Sequence, residues 1–572
     1  MDLRNIASVR GANFFEADIG LQDYLCDHVE SFENKWKSTL SDFGAFVAND
    51  VDQQAEYTDR YFRPKLEHRE DGGKYHSKVI YNKFWIDVSR ELYRRGIVGL
   101  NYTEHSAPYT VTFAMAYMLG QADISLQCPV AMTTAVTYVI DRFAPAPLRA
   151  KYLPKLASMH GDAFTAGTWA TEHHGGSDIG ATTTEARAEG DHFALNGLKW
   201  FVSNASSELA IATARPSGAP GGSEGLGLYV VPARWTDGSV NSIYVRKLKD
   251  KLGTCGIATG EVELAGTKAF EFAPPPHGFK VMMEALEFSR IQNVLASMGI
   301  QRRAFMEAAN YCYHREAFGR KITEYPMVQE QLTDIIVRVE ASLALGFEVM
   351  RAFEAVKHET LESSKRAWLR LITALAKYQT AEHANVVCRK ALELMGGNAY
   401  TYDYCLSRLV RDAQVLSIWE GPANIQALEM IRILAKFGGL APIEDRARCL
   451  LDRIPAELRG TGERLVLYLD KAKSATKLVL SDLGESERHA RNLMDFLADI
   501  VAALLLLEET GHELARGSAR KAIIARLFIE SRLDRVHDRS FKPGRTLHER
   551  TFDALMNCQP IPIAELTHGG PS

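Results

Sequence analysis

One carboxylate, Glu420, is the first candidate for chemistry in this chain. It follows an apolar and aromatic run and stands directly before Gly421-Pro422, where one element ends and a helix can begin. Upstream, Gly396-Gly397 forms a turn between two apolar segments, and at such a turn the backbone can approach a ligand closely. A carboxylate in this position could act as a general base. It could equally be a solvated acid favoured by the helix dipole, so Glu420 alone establishes no activity.

Three further motifs carry polar, small and aromatic residues at fixed spacing. The first is Thr171-Glu172-His173-His174-Gly175-Gly176-Ser177-Asp178, and the second is Asn196-Gly197-Leu198-Lys199-Trp200-Phe201-Val202-Ser203-Asn204. The third is Arg315-Glu316-Ala317-Phe318-Gly319, followed by Gln329. Taken singly, the first motif is typical of a polar turn, and Phe201 is typical of a strand core.

The chain that must position these motifs divides into four segments, which differ in their pattern of apolar and turn residues. Residues 1–160 show helical spacing of apolar residues, and 161–275 alternate short β-rich runs with turn residues. Helical spacing returns in long segments over 276–440, which predicts a four-helix bundle, and continues over 441–572 as a helical extension. The sequence therefore predicts a mainly α protein with an inserted β-barrel or β-sandwich domain. Within the first segment, we expect the polar stretch 52–73 to be a surface excursion.

Composition and charge limit the kinds of partner that are expected. The chain has 572 residues, a formal net charge of -4 and 46% hydrophobic residues, so neither nucleic acid nor an anionic membrane is favoured as the main partner. The segment 441–572 balances 20 Lys and Arg against 20 Asp and Glu. Only the run 516–550 is basic, with 10 Lys and Arg against 4 Asp and Glu. DNA binding is therefore not expected, although this run leaves it open.

The cysteines and the apolar runs indicate a cytoplasmic protein. The eight Cys residues show no metal-binding spacing and are typical of free thiols in a reducing compartment. His173-His174 lacks a third ligand at sensible spacing, so no metal is predicted. No apolar run is long enough to cross a bilayer, and the first 20 residues do not have the pattern of a secretory signal.

The joint pattern of motifs resembles the flavin-dependent acyl-CoA dehydrogenases. The first motif is similar to that family's T-E-x-x-x-G-S-D, and the second is similar to its N-G-x-K-x-[WF]-[IV]-[TS]-N. The third is similar to R-x-x-F-G with the following Gln, while Gly396-Gly397 and Trp419-Glu420-Gly421 complete the set in the family order. The resemblance implies an N-terminal helical domain, a middle β-barrel and a C-terminal four-helix bundle, here with a helical extension.

By this resemblance the motifs bind FAD. Ala170 and Thr171 contact the pyrimidine side of the flavin, Phe201 packs on its ring, Ser203 approaches N5, and Gly176 and Ser177 bind the pyrophosphate. Arg315 and Phe318 clamp the adenosine half of FAD across a subunit interface, which implies a homo-oligomer, expected to be a dimer of dimers. The other cofactor residues implied are Gln329, Glu393, Gly396, Gly397, Pro422 and Asn424. Glu393 departs from the family's usual Gln, which puts its contact in doubt.

The resemblance also assigns the reaction. Glu420 takes the α-proton of an acyl-CoA thioester, and hydride leaves Cβ for flavin N5. The Glu420 backbone N–H and a flavin ribityl hydroxyl stabilise the developing enolate. Ser177, Glu287, Arg290 and Gly421 are the implied substrate residues. Some members place the base just before an Arg of an earlier helix, but here that position is Ser289, so Glu420 is the candidate. Nitroalkane-oxidising relatives carry Asp instead, so Glu420 argues against that chemistry.

Several details resemble the AidB-like, alkylation-response branch of the family. These are Lys199-Trp200-Phe201, the run 248–253, residues 417–421 and the C-terminal extension. Two interpretations from different classes follow. One is an acyl-CoA dehydrogenase that passes electrons to an electron-transferring flavoprotein. The other is an AidB-like flavoprotein with weak or no activity that binds DNA or a fatty acyl ligand. An acyl-CoA oxidase that uses O2 directly is a third possibility.

Overall fold

The computed structural model describes residues 2–6, 8–71, 74–359, 364–534 and 547–566. The chain folds into two compact units. Residues 46–293 form the first, called here the β-domain unit, and residues 1–45 together with 294–572 form the second, called here the bundle unit. The four segment boundaries expected from the sequence remain a prediction.

The described helices and strands are as follows. In chain order, the α-helices are α1 (Ile19–His28), α2 (Phe32–Lys35), α3 (Lys37–Phe46), α4 (Asp52–Arg60), α5 (Lys83–Arg94), α6 (Tyr109–Ala122), α7 (Ile124–Phe143), α8 (Ala146–Leu156), α9 (His277–His314), α10 (Pro326–Val356), α11 (Ser364–Met395), α12 (Gly397–Tyr400), α13 (Leu406–Leu416), α14 (Ala423–Lys436), α15 (Ala441–Leu451), α16 (Arg459–Val479), α17 (Leu483–Ala515), α18 (Arg520–Arg532) and α19 (Leu547–Met556). The strands are β1 (Lys65–Asp71), β2 (Lys74–Ile80), β3 (Ala166–Trp169), β4 (Glu185–Glu189), β5 (His192–Ser203), β6 (Leu209–Pro216), β7 (Gly227–Pro232), β8 (Ile243–Leu248), β9 (Thr259–Ala273), β10 (Glu316–Ala317) and β11 (Arg320–Lys321).

A seven-stranded sheet forms the centre of the β-domain unit. Strands β6, β4, β5, β9 and β7 pair in a closed ring, because β7 returns to pair with β6, while β3 and β8 add to β6 and β9. Burial alternates along much of β9, as expected for a strand with one face on a core. Trp169, Leu195 and Tyr229 are among the buried residues that fill this core. The predicted mainly α fold with an inserted β domain is confirmed.

The prediction of a surface excursion over 52–73 was wrong for residues 52–60, whereas residues 61–70 are mostly exposed and residues 72–73 lie outside the described residues. Residues 52–60 form α4, in which Gln54, Thr58 and Asp59 are buried although they are polar. Gln54 donates a hydrogen bond to the hydroxyl of Thr58 (2.7 Å), so polar groups satisfy each other inside the helix packing. Strand β1 follows and pairs with β2. The helix was not predicted because most of its buried positions carry polar residues, so its sequence lacks the apolar periodicity of an amphipathic helix.

Long helices build the bundle unit, and polar contacts join three of them. Gln301 of α9 donates to the carbonyl of Thr380 on α11 (3.0 Å), and the hydroxyl of Ser342 on α10 donates to Gln301 Oε1 (3.0 Å). Helices α13 and α14 pack on α11, and α17 of the C-terminal extension packs on α10, α11 and α14. The extension is therefore an integral part of this unit.

Buried ion pairs attach the extension to α10. Glu340 of α10 forms ion pairs with Arg520 (2.7 Å) and Lys521 (2.8 Å) of α18. Eight residues further along α10, the carboxylate of Glu348 forms an ion pair with Arg446 of α15 at 2.8 Å. Arg520 and Lys521 hold the pKa of Glu340 well below its ordinary value, although burial of the carboxyl opposes this effect. Two separate carboxylates on one helix thus hold two different helices of the extension.

Candidate active site

The first motif forms a loop that follows β3 and pairs with β5. Ala170 is buried, and the carbonyl of Thr171 accepts a hydrogen bond from the backbone N–H of Trp200 (2.9 Å). Glu172 and Gly175 exchange backbone hydrogen bonds of 3.1 and 3.2 Å, which closes the loop on itself. The loop between Thr171 and Ser177 is therefore fixed at its base, while Ser177 is exposed at its end.

A buried ion pair lies under this loop. Nζ of Lys199 is 2.8 Å from Glu172 Oε1, and the two side chains are 0% and 3% exposed. Glu172 also accepts hydrogen bonds from the backbone N–H and hydroxyl groups of Thr183 and Thr184. Burial of the Glu172 carboxyl opposes its ionisation, but Lys199 and the threonine hydroxyls outweigh it and lower the pKa of Glu172 to about 2. The pair therefore stays charged and joins the loop to β5.

Gly176 lies where no larger residue fits without movement. A Cβ atom at this position would be 3.1 Å from Thr171 Cγ2 and 3.2 Å from Thr171 Oγ1. The backbone is therefore bare next to the Thr171 hydroxyl, and Ser177 follows with an exposed side chain. A bare, exposed backbone beside two hydroxyls suits a phosphate group.

Phe201 and Ser203 lie on a bulge at the end of β5. The register between β5 and β9 shifts between Lys199 and Val202. Phe201 has φ +53° and its side chain is 60% exposed, which is rare for an aromatic residue in both respects. The hydroxyl of Ser203 lies 3.1 Å from the hydroxyl of Thr259. The bulge thus presents an exposed aromatic face two residues from a neutral hydroxyl.

Two of the predicted substrate residues bind each other in the β-domain unit. Glu287 and Arg290 are buried on α9, and Arg290 Nη1 donates to Glu287 Oε2 at 2.9 Å. Ser289, which occupies the alternative base position, is also buried. The assignment of Glu287 and Arg290 to the substrate remains a prediction.

Glu420 lies in the bundle unit, between α13 and α14, in a strained backbone conformation. Its φ is +57°, and Gly421 follows with φ +96°. Its carboxylate oxygen Oε2 is buried, while the residue as a whole is half-buried. A non-glycine residue with positive φ costs about 1 kcal/mol or more, and such residues cluster at functional sites. Pro422 and Asn424 follow at the start of α14, and both are exposed or half-exposed.

Two side chains hold the peptide that follows Glu420. Gln426 Nε2 donates to the carbonyl oxygens of Glu420 (3.0 Å) and Gly421 (3.1 Å), and Lys377 Nζ donates to the carbonyl oxygen of Gly421 (2.7 Å). Gly421 has φ +96°, a backbone conformation that favours glycine, and a Cβ atom there would lie 2.8 Å from Gln426 Nε2. Neither Lys377 nor Gln426 was predicted as a site residue.

The third motif forms a short hairpin that exposes an aromatic side chain. β10 and β11 pair through the turn Phe318-Gly319, where both residues have positive φ. This is the geometry of a tight primed hairpin turn, which normally carries Asn or Gly instead of Phe. Phe318 is 96% exposed and Arg315 is exposed. Gln329, by contrast, donates to the carbonyl of Thr323 (2.8 Å) and supports the hairpin base.

Glu393, Gly396 and Gly397 lie at the end of α11. The carboxylate of Glu393 pairs with Arg389 at 2.9 Å on the exposed helix face. Gly396 has φ +62° and, like Gly397, is exposed with no neighbouring atom within 4 Å of an added Cβ. This glycine turn therefore presents open backbone, as expected, while the assignment of all three residues to FAD remains a prediction.

Two of the residues that support the site, Lys199 and Lys377, could have been noticed in the sequence. Lys199 and Lys377 are lysines inside apolar runs of a strand and a helix, where a charge needs a buried partner. That signal shows that a partner exists but does not identify it, since Glu172 is 27 positions before Lys199 and Gly421 is 44 positions after Lys377. Nothing in the sequence distinguishes Gln426 from any other polar residue in a helix.

Comparison with known proteins identifies the class that this fold and site define. The chain matches the acyl-CoA dehydrogenase C-terminal domain over residues 276–435 and the middle domain over residues 167–267. Residues 5–163 match the N-terminal domain of the adaptive response protein AidB. The chain belongs to the acyl-CoA dehydrogenase family, in its AidB-like branch.

Individual relatives agree with this assignment. Acyl-CoA dehydrogenase family member 11 of Caenorhabditis elegans is 30% identical over 415 residues, which cover 69% of this chain and 66% of that protein. The putative acyl-CoA dehydrogenase AidB of Escherichia coli is 28% identical, covering 66% of this chain and 70% of that protein. The structure of ACDH-11 of Caenorhabditis elegans in complex with C11-CoA superposes with a TM-score of 0.81 at 26% identity, covering 91% of both chains.

FAD is the cofactor of this family, and the residues of the β-domain unit fit it. Phe201 offers an exposed ring face, Thr171 and Ser203 offer neutral hydroxyls, and Gly176 leaves the space for a phosphate that a Cβ would fill. Among the described residues, no three His, Cys, Asp or Glu side chains are grouped so as to hold a metal ion. In the same ranges, no helix combines the length and apolarity needed to cross a membrane.

Proposed function

We propose that this protein dehydrogenates an acyl-CoA thioester between Cα and Cβ, with Glu420 as the general base. The observation that carries the proposal is the conformation of Glu420. It is a half-buried carboxylate held at positive φ. Gln426 binds its backbone carbonyl, and Lys377 of a second helix binds the carbonyl of Gly421. Family membership supports the same reaction, and so does the relative ACDH-11, whose structure is a complex with C11-CoA.

In this proposal, the residues of the chain have the following roles. The Glu420 carboxylate accepts the α-proton, and its backbone N–H donates a hydrogen bond to the thioester carbonyl, where negative charge develops. FAD, when bound, supplies the acceptor for the hydride that leaves Cβ. Thr171, Ser203 and Phe201 hold the flavin, and Gly176 and Ser177 hold the pyrophosphate. The CoA thioester is oriented by Ser177, Glu287, Arg290 and Gly421. Glu287 and Arg290 form an ion pair with each other, so each offers the substrate only its remaining hydrogen-bonding groups.

The adenosine half of FAD is assigned to the bundle unit and to a second subunit. Phe318 is almost fully exposed at the tip of a fixed hairpin, and Arg315 at its base is also exposed. An exposed ring on a rigid turn suits a contact with another molecule. We infer that Arg315 and Phe318 clamp the adenosine portion across the interface of a homo-oligomer, with a dimer of dimers expected. Gln329, Glu393, Gly396, Gly397, Pro422 and Asn424 complete this part of the proposed cofactor site.

An electron-transferring flavoprotein is the acceptor that goes with this proposal, and an oxidase that uses O2 is the alternative. A cytoplasmic location is inferred from the cysteines, all eight of which are free.

A second candidate function rests on the match of residues 5–163 to the AidB N-terminal domain. It is an AidB-like flavoprotein with weak or no dehydrogenase activity that binds DNA or a fatty acyl ligand. DNA remains the less favoured of the two ligands, because the extension is neutral as a whole. Residues 535–546 of its basic run lie outside the described residues.

An anaerobic titration of the purified FAD protein with acyl-CoA thioesters of different chain length tests the proposal. Bleaching of the flavin absorbance by one chain class, and its loss in Glu420→Gln, is the expected result. If dithionite bleaches the flavin but no thioester does, the dehydrogenase proposal fails and the second candidate is favoured. Reoxidation of the bleached protein by O2, compared with reoxidation by an electron-transferring flavoprotein, separates an oxidase from a dehydrogenase.

A further inference from the structure

The two peptide groups that follow Glu420, Glu420–Gly421 and Gly421–Pro422, are anchored by side chains from two helices. Gln426, on α14, donates to both carbonyl oxygens, and Lys377, on α11, donates to that of Gly421 at 2.7 Å. Lys377 is 1% exposed and Gln426 is 0% exposed. A long flexible lysine is immobile only when its ammonium is bound, so this contact fixes Lys377 and Gly421 together.

The conformation at Glu420 requires such anchors. Its φ of +57° lies in the left-handed region, which a residue with a side chain occupies only when its surroundings impose it. Pro422 follows, so the Gly421 carbonyl belongs to a peptide without an N–H group. Neither Glu420 nor Gly421 lies within a helix, so hydrogen bonds from side chains replace the missing helical ones. If the anchors are lost, the backbone can relax and the Glu420 carboxylate changes direction.

A lysine is an energetically unfavourable residue for this position. Lys377 lies in a part of α11 where apolar side chains such as Leu375 and Ala376 are buried beside the polar Gln379 and Thr380. Burying an ammonium group costs several kcal/mol unless it is paired, and an apolar side chain of similar length would often serve the fold equally well. The placement of Lys377 against the residue after Glu420 indicates a role in the site instead of in packing.

We propose that Lys377 is a positioning residue. It fixes the Gly421–Pro422 peptide, while Gln426 holds the carbonyls of both Glu420 and Gly421, and together they aim the Glu420 carboxylate at the substrate α-proton. This inference rests on the proposed function of Glu420. Lys377 itself touches neither the substrate nor the reacting atoms in this role. Misplacement of a reacting group by about 1 Å can slow a reaction on the order of 10²-fold, which sets the size of the expected effect.

The test measures exchange of the substrate α-proton with D2O by NMR, in wild type, Glu420→Gln and Lys377→Met, all loaded with FAD. Lys377→Met should slow the exchange on the order of 10²-fold, while KM for the thioester, FAD content and thermal midpoint stay close to those of wild type. Lys377→Arg, which keeps the charge and the donor, should recover most of the lost rate. Lys390→Met is the control, because Lys390 is a half-buried lysine of the same helix that is ion-paired with Asp334 instead of bound to the residues after Glu420.

Each result decides the question. An exchange rate in Lys377→Met within about threefold of wild type overturns the proposal, as does an equal loss in Lys390→Met. Loss of FAD or of folded protein in Lys377→Met, without recovery in Lys377→Arg, shows a structural role and also overturns it. If wild type exchanges and Glu420→Gln does not, the proposed role of Glu420 as the base stands whatever Lys377→Met shows. If wild type itself shows no exchange, both proposals fail.

Discussion

Lys199 Nζ and Glu172 Oε1 lie 2.8 Å apart in a buried ion pair that joins the loop 171–177 to strand β5. Both residues belong to the motifs that carry the family resemblance, and both side chains are buried. Their contribution is to hold the two cofactor-binding segments together. Four further hydrogen bonds from Thr183 and Thr184 satisfy the remaining acceptors of Glu172, so the charge is fully compensated.

This pair predicts a specific dependence of stability on pH. The pKa of Glu172 is about 2 in the folded chain, against 4.5 for an ordinary glutamate. Because the folded value is lower, its ionisation stabilises the fold fully above about pH 4.5, and this contribution is lost as pH falls toward 2. Urea unfolding of wild type and Glu172→Gln between about pH 7 and pH 3 measures it. The difference in free energy of unfolding should be largest near neutral pH and shrink on acidification, and a difference that grows on acidification contradicts this prediction.

Phe201 should contribute to FAD affinity but little to the stability of the chain without cofactor. Its side chain is 60% exposed, so Phe201→Ala removes little buried area. Loss of the ring face should weaken FAD binding about tenfold, in line with the energy of an aromatic contact. A fluorescence titration of the apoprotein with FAD measures the affinity. Tyr402→Ala, at another exposed aromatic position, serves as the control, and equal FAD affinity in both variants would argue against a role for Phe201.

Phe318 should matter for assembly instead of for the fold of one subunit. At 96% exposure it buries almost nothing within the chain, so Phe318→Ser should leave the thermal midpoint of an isolated subunit unchanged. If it lies at a subunit interface, the same change should shift the protein to smaller species in sedimentation velocity and lower its FAD content. Leu467→Ser, at an exposed apolar residue of α16, is the matched control. Unchanged sedimentation and FAD content in Phe318→Ser would remove the proposed clamp.

Glu340 should be far more important for stability than an exposed ion-paired glutamate. Glu340→Gln leaves Arg520 and Lys521 without their shared buried carboxylate, which should cost about 3–5 kcal/mol. Glu393→Gln, which breaks an exposed i,i+4 pair with Arg389, should cost only about 0.3–0.5 kcal/mol. Chemical denaturation of both variants measures the contrast. A similar small loss in both would show that the extension does not depend on Glu340.

Contiguous motifs made part of the site predictable from sequence. The motifs Thr171–Ser177 and Trp419–Gly421 are each contiguous in the chain, so their resemblance to the family is visible in the sequence, and that resemblance implied a ligand loop and a base. The β-domain strands were predicted because β-rich runs and turn residues alternate there. Turn-favouring residues do not always end a strand there, since Asn196 and Gly197 lie inside β5 and continue its pairing with β9.

The remaining features depend on contacts between distant positions. Lys377 meets Gly421 only because α11 packs against the start of α14, and Glu172 meets Lys199 only because the loop pairs with β5. The left-handed conformations of Phe201, Phe318 and Glu420 were equally hidden, since none of these residue types favours positive φ. Their surroundings impose the conformation, and those surroundings form only in the folded chain.

The role of Glu420 as the base is tested by comparing α-proton exchange in D2O for wild type and Glu420→Gln under anaerobic conditions, with FAD bound and a thioester that bleaches the wild-type flavin. We expect wild type to exchange the α-proton, while Glu420→Gln binds the same thioester with similar affinity but exchanges it at the rate of the buffer. Exchange in Glu420→Gln at the wild-type rate would contradict the proposed role, because the base would then be another group.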